Sequence, residues 1–329
     1  MPEIPEPFDV TWLDVGDGHQ LYVEQSGRPD GVPALFLHGG PGGGTTPRVR
    51  SFFDPAVYRI VVFDQRGAGQ SRPNVADDFD AAMHENNTSK LIADIEAIRA
   101  YVGVDHWPVV LGGSWGSTLA IAYAQACPSR VRHLVLRGIF TFEPDEVDGL
   151  FREPREADHH PEAWARYEAF ARARRPDEPD LLQAYQALLD DPDRREDAAR
   201  EFVRYELSIS KLHVDRAGMD ARLANASAFM PFAALEVAYM LAGGYLPAGS
   251  LLADDNMARL AGLDVSIVHG RNDHVCVPYA AWRFANALRQ VGVHPRLRFI
   301  EGAGHSDSEP PIAAALREET DRLRAIVTG

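Results

Sequence analysis

Between Trp107 and Ala126 the chain runs from the apolar stretch WPVVL through GGSWGS into the helix-like TLAIAYAQA. Five of the nine residues from Gly112 to Ala120 are Gly or Ser. A buried strand that ends in so little side chain and turns at once into a helix admits few architectures. The joint has to be tight, the helix has to fold back over the strand, and other strands have to cover the remaining apolar surface. Gly112-Gly113-Ser114-Trp115-Gly116 fits the pattern G-x-S-x-G. Bulk two positions before or after a residue at the tip of such a turn would clash, so the pattern keeps glycine there and presents one hydroxyl, that of Ser114. The helix that follows points free backbone N–H groups at the same place, which suits a developing oxyanion.

The rest of the first half repeats this grammar. ALFLHGG and RIVVFDQRG are short apolar runs that each end in glycine and read as buried strands, and HLVLRGI is another. TSKLIADIEAIRAYVGV places Leu91, Ile95, Ile98 and Val102 on one helical face, with Thr88 or Ser89 as N-cap. Strands alternating with helices predict an α/β protein with a mostly parallel sheet. From Phe142 the texture becomes charged, broken by proline and helical, and it stays so to Leu246. Strand signals return in LDVSIVHG and RLRFIEG, with a helix near PYAAWRFANALRQV between them and another after Pro311. The expected organisation is a core in two parts, residues 1–141 and 247–329, interrupted by a helical block at 142–246.

A nucleophilic serine needs a base, and the base needs an acid to orient it. Two loops supply them in chain order. Asp273 follows the strand ending in VSIVHGRND, and His305 follows LRFIEGAGH, both at carboxyl ends of expected parallel strands. HGGPGGGTT, from His38 to Thr46, lacks the lysine and helix of a phosphate cradle and reads better as the second wall of an oxyanion hole. Gly40 is expected to give one N–H and Trp115 the other, with His38 structural. His159 and His160 invite a metal reading, but adjacent side chains on a helix diverge and no second group of ligands has suitable spacing, so no metal is expected. HSDSE after His305 is read the same way. In the helical block, MPFAALEVAYMLAGGYL holds a single charge, Glu236. A lone carboxylate in such a run faces solvent, pairs with an arginine of the block, or awaits a cationic ligand. Glu206, in FVRYELSIS, is also flanked by apolar residues.

Bulk properties narrow the function. A net charge of −15 argues against nucleic acid or an anionic membrane as partner. Two cysteines, Cys127 and Cys276, make neither a disulfide framework nor a zinc pattern. The acidic, proline-rich start has no secretory features and no apolar run is long enough to span a bilayer, so a cytoplasmic setting is expected. No cofactor is expected, and the oligomeric state is open.

HGGPGGG, DQRGAGQS, GGSWGSTLAIAYA, LRGIF, HGRND followed by a cysteine, and GAGHSDSEP together resemble the proline iminopeptidases, which release N-terminal proline from peptides. The resemblance is dense over residues 35–140 and 264–310. It implies an α/β-hydrolase fold with an inserted helical cap, and a catalytic triad of Ser114, Asp273 and His305. It implies a substrate pocket that includes Arg137, Phe140, Phe151 and Tyr239. It further implies that Glu206 of YELSIS and Glu236 of LEVAY hold the free amino end of small peptide substrates. Cys276 is the implied neighbour of the site that thiol reagents reach. The chain departs from the family at Tyr205, at Val237-Ala238 and in GLFR from Gly149 to Arg152, which implies a looser preference for proline. The alternatives are an esterase or amidase acting on amino-acid-like esters, amides or lactones, and a catalytically silent hydrolase-fold binding protein. Serine rather than aspartate at the turn disfavours an epoxide hydrolase.

Overall fold

The computed structural model describes residues 4–327. Eight strands form one sheet in the order β1-β2-β4-β3-β5-β6-β7-β8. They are β1 (Pro7–Asp14), β2 (Gln20–Gly27), β3 (Val32–Leu37), β4 (Tyr58–Phe63), β5 (Trp107–Gly113), β6 (Val131–Arg137), β7 (Asp264–Gly270) and β8 (Arg296–Ile300). The pairings β1/β2 and β2/β4 are antiparallel, and those from β4 through β8 are parallel. The six strands legible in the sequence are the parallel ones. The hairpin β1–β2 was not: its apolar residues Phe8, Val10 and Trp12 are exposed, so periodicity points the wrong way. Trp12 is covered in part by the Arg72 guanidinium, 4.6 Å from its ring centroid.

Among the described residues twelve α-helices accompany the sheet. Six lie outside residues 142–246: α1 (Phe79–Met83), α2 (Thr88–Val102), α3 (Trp115–Ala126), α10 (Asp254–Ala258), α11 (Pro278–Gln290) and α12 (Pro310–Val327). The other six, α4 (Pro144–Phe151), α5 (Pro161–Arg174), α6 (Leu181–Asp190), α7 (Arg195–Ile209), α8 (Arg216–Leu223) and α9 (Ala226–Leu241), lie between β6 and β7. One face of the sheet buries Leu35, Val61, Val110 and Ile267 against α2, α3 and α11. The other buries Phe36, Ile60, Val109 and Val268 against Ile312, Leu316 and Leu323 of α12 and against Val49 and Phe52. Strands buried on both faces explain the continuous apolar runs that marked them in the sequence. Helix α2 is capped by Asn87, whose side chain accepts from the Lys90 N–H at 3.1 Å, and not by Thr88 or Ser89 as expected. The hydroxyl of Thr88 instead donates to the Gly244 carbonyl. Helices α4 to α9 have an interior of their own, an aromatic stack in which Tyr167 lies 4.7 Å from Tyr185 and 4.5 Å from Tyr205.

Buried ion pairs hold the loops at the carboxyl ends of the strands. Arg66 of DQRG binds Asp94 of α2 bidentately at 2.7 and 2.8 Å and reaches Asp17 at 2.9 Å. Asp64 accepts from the Thr45 and Gln70 N–H groups, each at 2.7 Å, and so fixes the glycine loop after β3. None of the described helices is long and apolar enough to cross a membrane.

Candidate active site

The turn at Ser114 is as tight as the glycines require. A Cβ at Gly116 would lie 2.1 Å from the Leu37 carbonyl oxygen, and one at Gly112 would lie 2.1 Å from the Gly116 carbonyl oxygen. Ser114 itself stands at φ 57°, ψ −129°, a conformation that costs a non-glycine residue about 1–3 kcal/mol. The surroundings hold it there. The Ser114 N–H donates to the Arg137 carbonyl at 2.8 Å, and the Ser117 N–H and hydroxyl both donate to the Ser114 carbonyl at 2.7 Å. The amides of Trp115 and Gly116 open α3, so the N-terminus of that helix faces the serine.

A second brace lies beneath the turn. The Trp115 indole donates to Gln65 Oε1 at 2.8 Å, Gln65 Nε2 donates to the His38 carbonyl at 2.9 Å, and the Gln65 N–H donates to His38 Nε2 at 2.9 Å. His38 Nε2 is thus an acceptor, which leaves Nδ1 to donate to the Gly39 carbonyl at 2.9 Å. Burial holds His38 below its usual value and neutral. The residue is structural: it ties the glycine loop to the turn.

His305 Nδ1 lies 2.8 Å from Asp273 Oδ2. The other Asp273 oxygen accepts from the N–H groups of Val275 and Cys276 at 3.0 and 2.8 Å. Burial pushes Asp273 up, but the charge and hydrogen bond of His305, helped by His269 and the Cys276 N–H, carry it below its ordinary value. The carboxylate therefore stays ionised. His269 is fully buried and locked between the Ile139 N–H, at 3.2 Å from Nδ1, and the Cys276 carbonyl, at 2.7 Å from Nε2. The His305 and Ser306 N–H groups donate to the carbonyl of Ser210 at the end of α7, at 3.1 and 2.9 Å. The end of α7 thereby holds the loop of His305. Burial, followed by the Asp273 charge, raises the pKa of the Cys276 thiol well above the ordinary value.

Ser114, His305, Arg137, Gly39, Gly40, Glu206, Arg222 and Phe232 line one cavity of about 190 Å³. Glu236 is buried beside Glu206, close enough for each carboxyl to act on the other. One oxygen of each, Oε2, is buried without a hydrogen-bond partner. Burial raises both, Glu236 well above its ordinary value. Glu236 is raised further by the charge of Glu206, so the pair holds a proton in common.

The cation that faces this pair is Arg222 of α8. It is half-buried, and the desolvation lowers its pKa while the two glutamates oppose that shift. Its Nη2 donates to the Gly43 carbonyl at 3.0 Å, and its guanidinium lies 5.0 Å from the Phe232 ring centroid. Sequence reasoning missed Arg222: in MDARLANAS it looks like any arginine on a solvated helix. Arg137, expected as a pocket residue, does line the cavity, and its Nη1 lies 3.0 Å from His305 Nε2. Phe140, Phe151 and Tyr239, expected in the pocket, are outside the lining. Phe140 packs on Phe142 at 4.5 Å and Phe151 stacks on Phe202 at 5.1 Å. Tyr239 packs on Trp115 at 4.9 Å and donates its hydroxyl to Asn86 at 3.0 Å. Their aromatic character fits the core behind the site as well as it would fit a pocket wall.

A family model described as the alpha/beta hydrolase fold matches residues 33–310. The chain is 39% identical over 324 residues to the proline iminopeptidase of Arabidopsis thaliana, covering 98% of this chain and 81% of that protein. It is 39% identical over 326 residues to the proline iminopeptidase of Neisseria gonorrhoeae, covering 98% of each. To that of Xanthomonas citri it is 41% identical over 324 residues, covering 97% of each. Among solved structures, a proline iminopeptidase-related protein from Thermus thermophilus superposes with a TM-score of 0.61 at 20% identity, over 96% of this chain and 98% of that one. An esterase from Exiguobacterium antarcticum superposes with a TM-score of 0.62 at 18% identity, over 94% of this chain and 97% of that one. Likeness at that identity speaks for the fold alone.

Proposed function

The chain belongs to the proline iminopeptidase family of α/β hydrolases, and on that premise we propose how its own residues release the first residue of a peptide. It is a serine exopeptidase that takes N-terminal residues, preferentially proline. Ser114 Oγ attacks the carbonyl carbon of the first residue and passes its proton to His305 Nε2. Asp273 keeps the other imidazole proton on Nδ1, so that Nε2 presents a lone pair. Arg137 Nη1 occupies that lone pair at 3.0 Å in the free enzyme and gives way as the serine hydroxyl turns in. The N–H groups of Trp115 and Gly40 hold the oxyanion. His305 returns the proton to the leaving amine. Water, deprotonated by the same base, then frees the acyl group. Helices in residues 142–246 act as a cap over a core built from 1–141 and 247–329.

The observation that carries the exopeptidase reading over the esterase one is the buried glutamate pair. An uncharged acyl group has no use for two carboxyls with free oxygens beside the nucleophile. An N-terminal ammonium supplies the donors and the charge that both lack. Glu206 and Glu236 are the clamp for that ammonium, and Arg137 borders the carbonyl side. The test compares kcat/KM on chromogenic amides of Pro, Ala and N-acetyl-Pro with an uncharged p-nitrophenyl ester, for the wild type and Ser114→Ala. Proline amide should lead. Ser114→Ala should lose about 10³-fold or more in kcat while remaining folded. Preference for the uncharged ester with no turnover of proline amide would favour the esterase reading.

A further inference from the structure

The structure brings the histidine pair set aside in the sequence against two residues that sequence spacing could not supply. Glu156, on the single 3-10 turn Pro154–Asp158, and His160, at the N-cap of α5, meet His274, the residue after Asp273 in the loop following β7. One donor atom from each of the three falls within 4.8 Å of the others. His274 Nδ1 lies 3.3 Å from Glu156 Oε2, and the His160 and His274 ring centroids are 4.8 Å apart. Glu156 is almost wholly buried, yet its Oε2 has no aligned hydrogen bond, and the buried His160 Nε2 has none either. Two buried polar atoms that point into one small space with no aligned hydrogen bond are costly unless something else fills it.

We infer that Glu156, His160 and His274 form a binding site for a divalent late first-row metal ion of the zinc type, separate from the Ser114 cavity. Two imidazoles and one carboxylate oxygen are a donor set that such an ion accepts with water as fourth ligand, and harder ions favour all-oxygen sites. Bonds of about 2.0–2.2 Å in a tetrahedron put neighbouring donors a little over 3 Å apart. The His274–Glu156 distance already meets that, and His160 has to close by about 1 Å. The other oxygen of Glu156 accepts from Arg155 Nε at 2.9 Å, which orients the carboxylate in the manner of the outer partners of metal ligands. Binding releases any proton carried by the ligating imidazole nitrogens to water and changes no oxidation state. The ion would link the inserted helices to the loop that carries Asp273, so it would tie the cap to the core at the catalytic acid.

The experiment uses full-length protein without an affinity tag, stripped with chelator and titrated with Co²⁺ and with Zn²⁺. Expected are one Co²⁺ per chain with the intense visible absorption of four-coordinate cobalt, and displacement of that absorption by Zn²⁺. A rise in melting temperature of about 3 °C or more at a hundredfold excess over Kd should accompany it. His160→Gln and His274→Gln should each remove the absorption and the thermal shift. Two separate variants, together with the wild-type titration, keep the result readable if one variant fails to fold. Absence of four-coordinate cobalt in the wild type, or the same absorption and shift in both folded variants, overturns the inference.

Discussion

Replacing Glu236 by glutamine keeps the shape of the side chain and removes one titratable carboxyl from the proposed amino-end clamp. An ammonium about 4 Å from a carboxylate gains about 4 kcal/mol at the effective dielectric of about 20 that suits such sites. Some of this is lost before binding. The Glu206–Glu236 pair holds a proton, which an arriving ammonium has to expel, at about 1.4 kcal/mol for each pKa unit by which the pair is displaced. One such unit leaves about 3 kcal/mol, so kcat/KM on free-amino proline amides should fall about 10²-fold in Glu236→Gln. Hydrolysis of an uncharged acyl ester should stay close to that of the wild type, because Ser114, His305 and Asp273 are untouched. Stability should move the opposite way. Burial raises Glu236 well above its ordinary 4.5, so above that pH the folded chain retains a proton that the unfolded chain releases. Wild-type stability then falls as the pH rises from 4.5 through the range up to the folded-state value. Glutamine does not titrate, so the variant should lose less stability over that range and melt higher at pH 8, a gain in stability at the cost of function. The assay is paired kinetics on the amide and the ester, with melting curves at pH 5 and pH 8. Equal losses on both substrates, or an amide rate within threefold of the wild type, would refute the clamp.

Other outcomes follow from the same geometry. Asp273→Asn should keep the hydrogen bonds from Val275 and Cys276 but turn an amide N–H toward His305, reverse the imidazole tautomer and lower kcat about 10⁴-fold with the circular dichroism spectrum unchanged. Gly116→Ala drives a methyl to 2.1 Å from the Leu37 carbonyl, where backbone has to shift, and should cost about 3 kcal/mol in a urea titration. Asp94→Ala strands the Arg66 guanidinium in the core with only Asp17 and backbone carbonyls beside it. Denaturant unfolding should show a loss of about 3 kcal/mol, the lower end for a broken buried pair.

Sequence alone determined whatever depends on local pattern. Strands buried on both faces must be apolar throughout, so β3 to β7 could be read directly, and the edge strand β8 (RLRFI) from its alternation. A nucleophile turn leaves no room for side chains, so Gly112 and Gly116 announced Ser114. Asp273 and His305 were legible because each follows a recognisable strand at the end where such folds place their chemistry. What escaped depends on distance in the chain. Strand β1 shows Phe8, Val10 and Trp12 to solvent, so its periodicity carried no burial signal, and β2 mixes buried apolar with buried polar residues, so it shows no continuous apolar run. Phe140, Phe151 and Tyr239 could not be assigned to pocket or core, because an aromatic ring serves both and only packing chooses. Arg222 matters only because the folding of α8 over the glycine loop sets its guanidinium beside Glu206 and Glu236. Arg137 reaches His305, 168 residues on, only through the neighbouring loops at the carboxyl ends of the sheet. His160 and His274 stand more than a hundred residues apart, and each alone is an ordinary histidine. Their meeting at Glu156 was decided by the docking of the inserted helices on the loop after β7, because short-range sterics and burial are written residue by residue while charge, coordination and proton sharing depend on which residues the tertiary fold brings together.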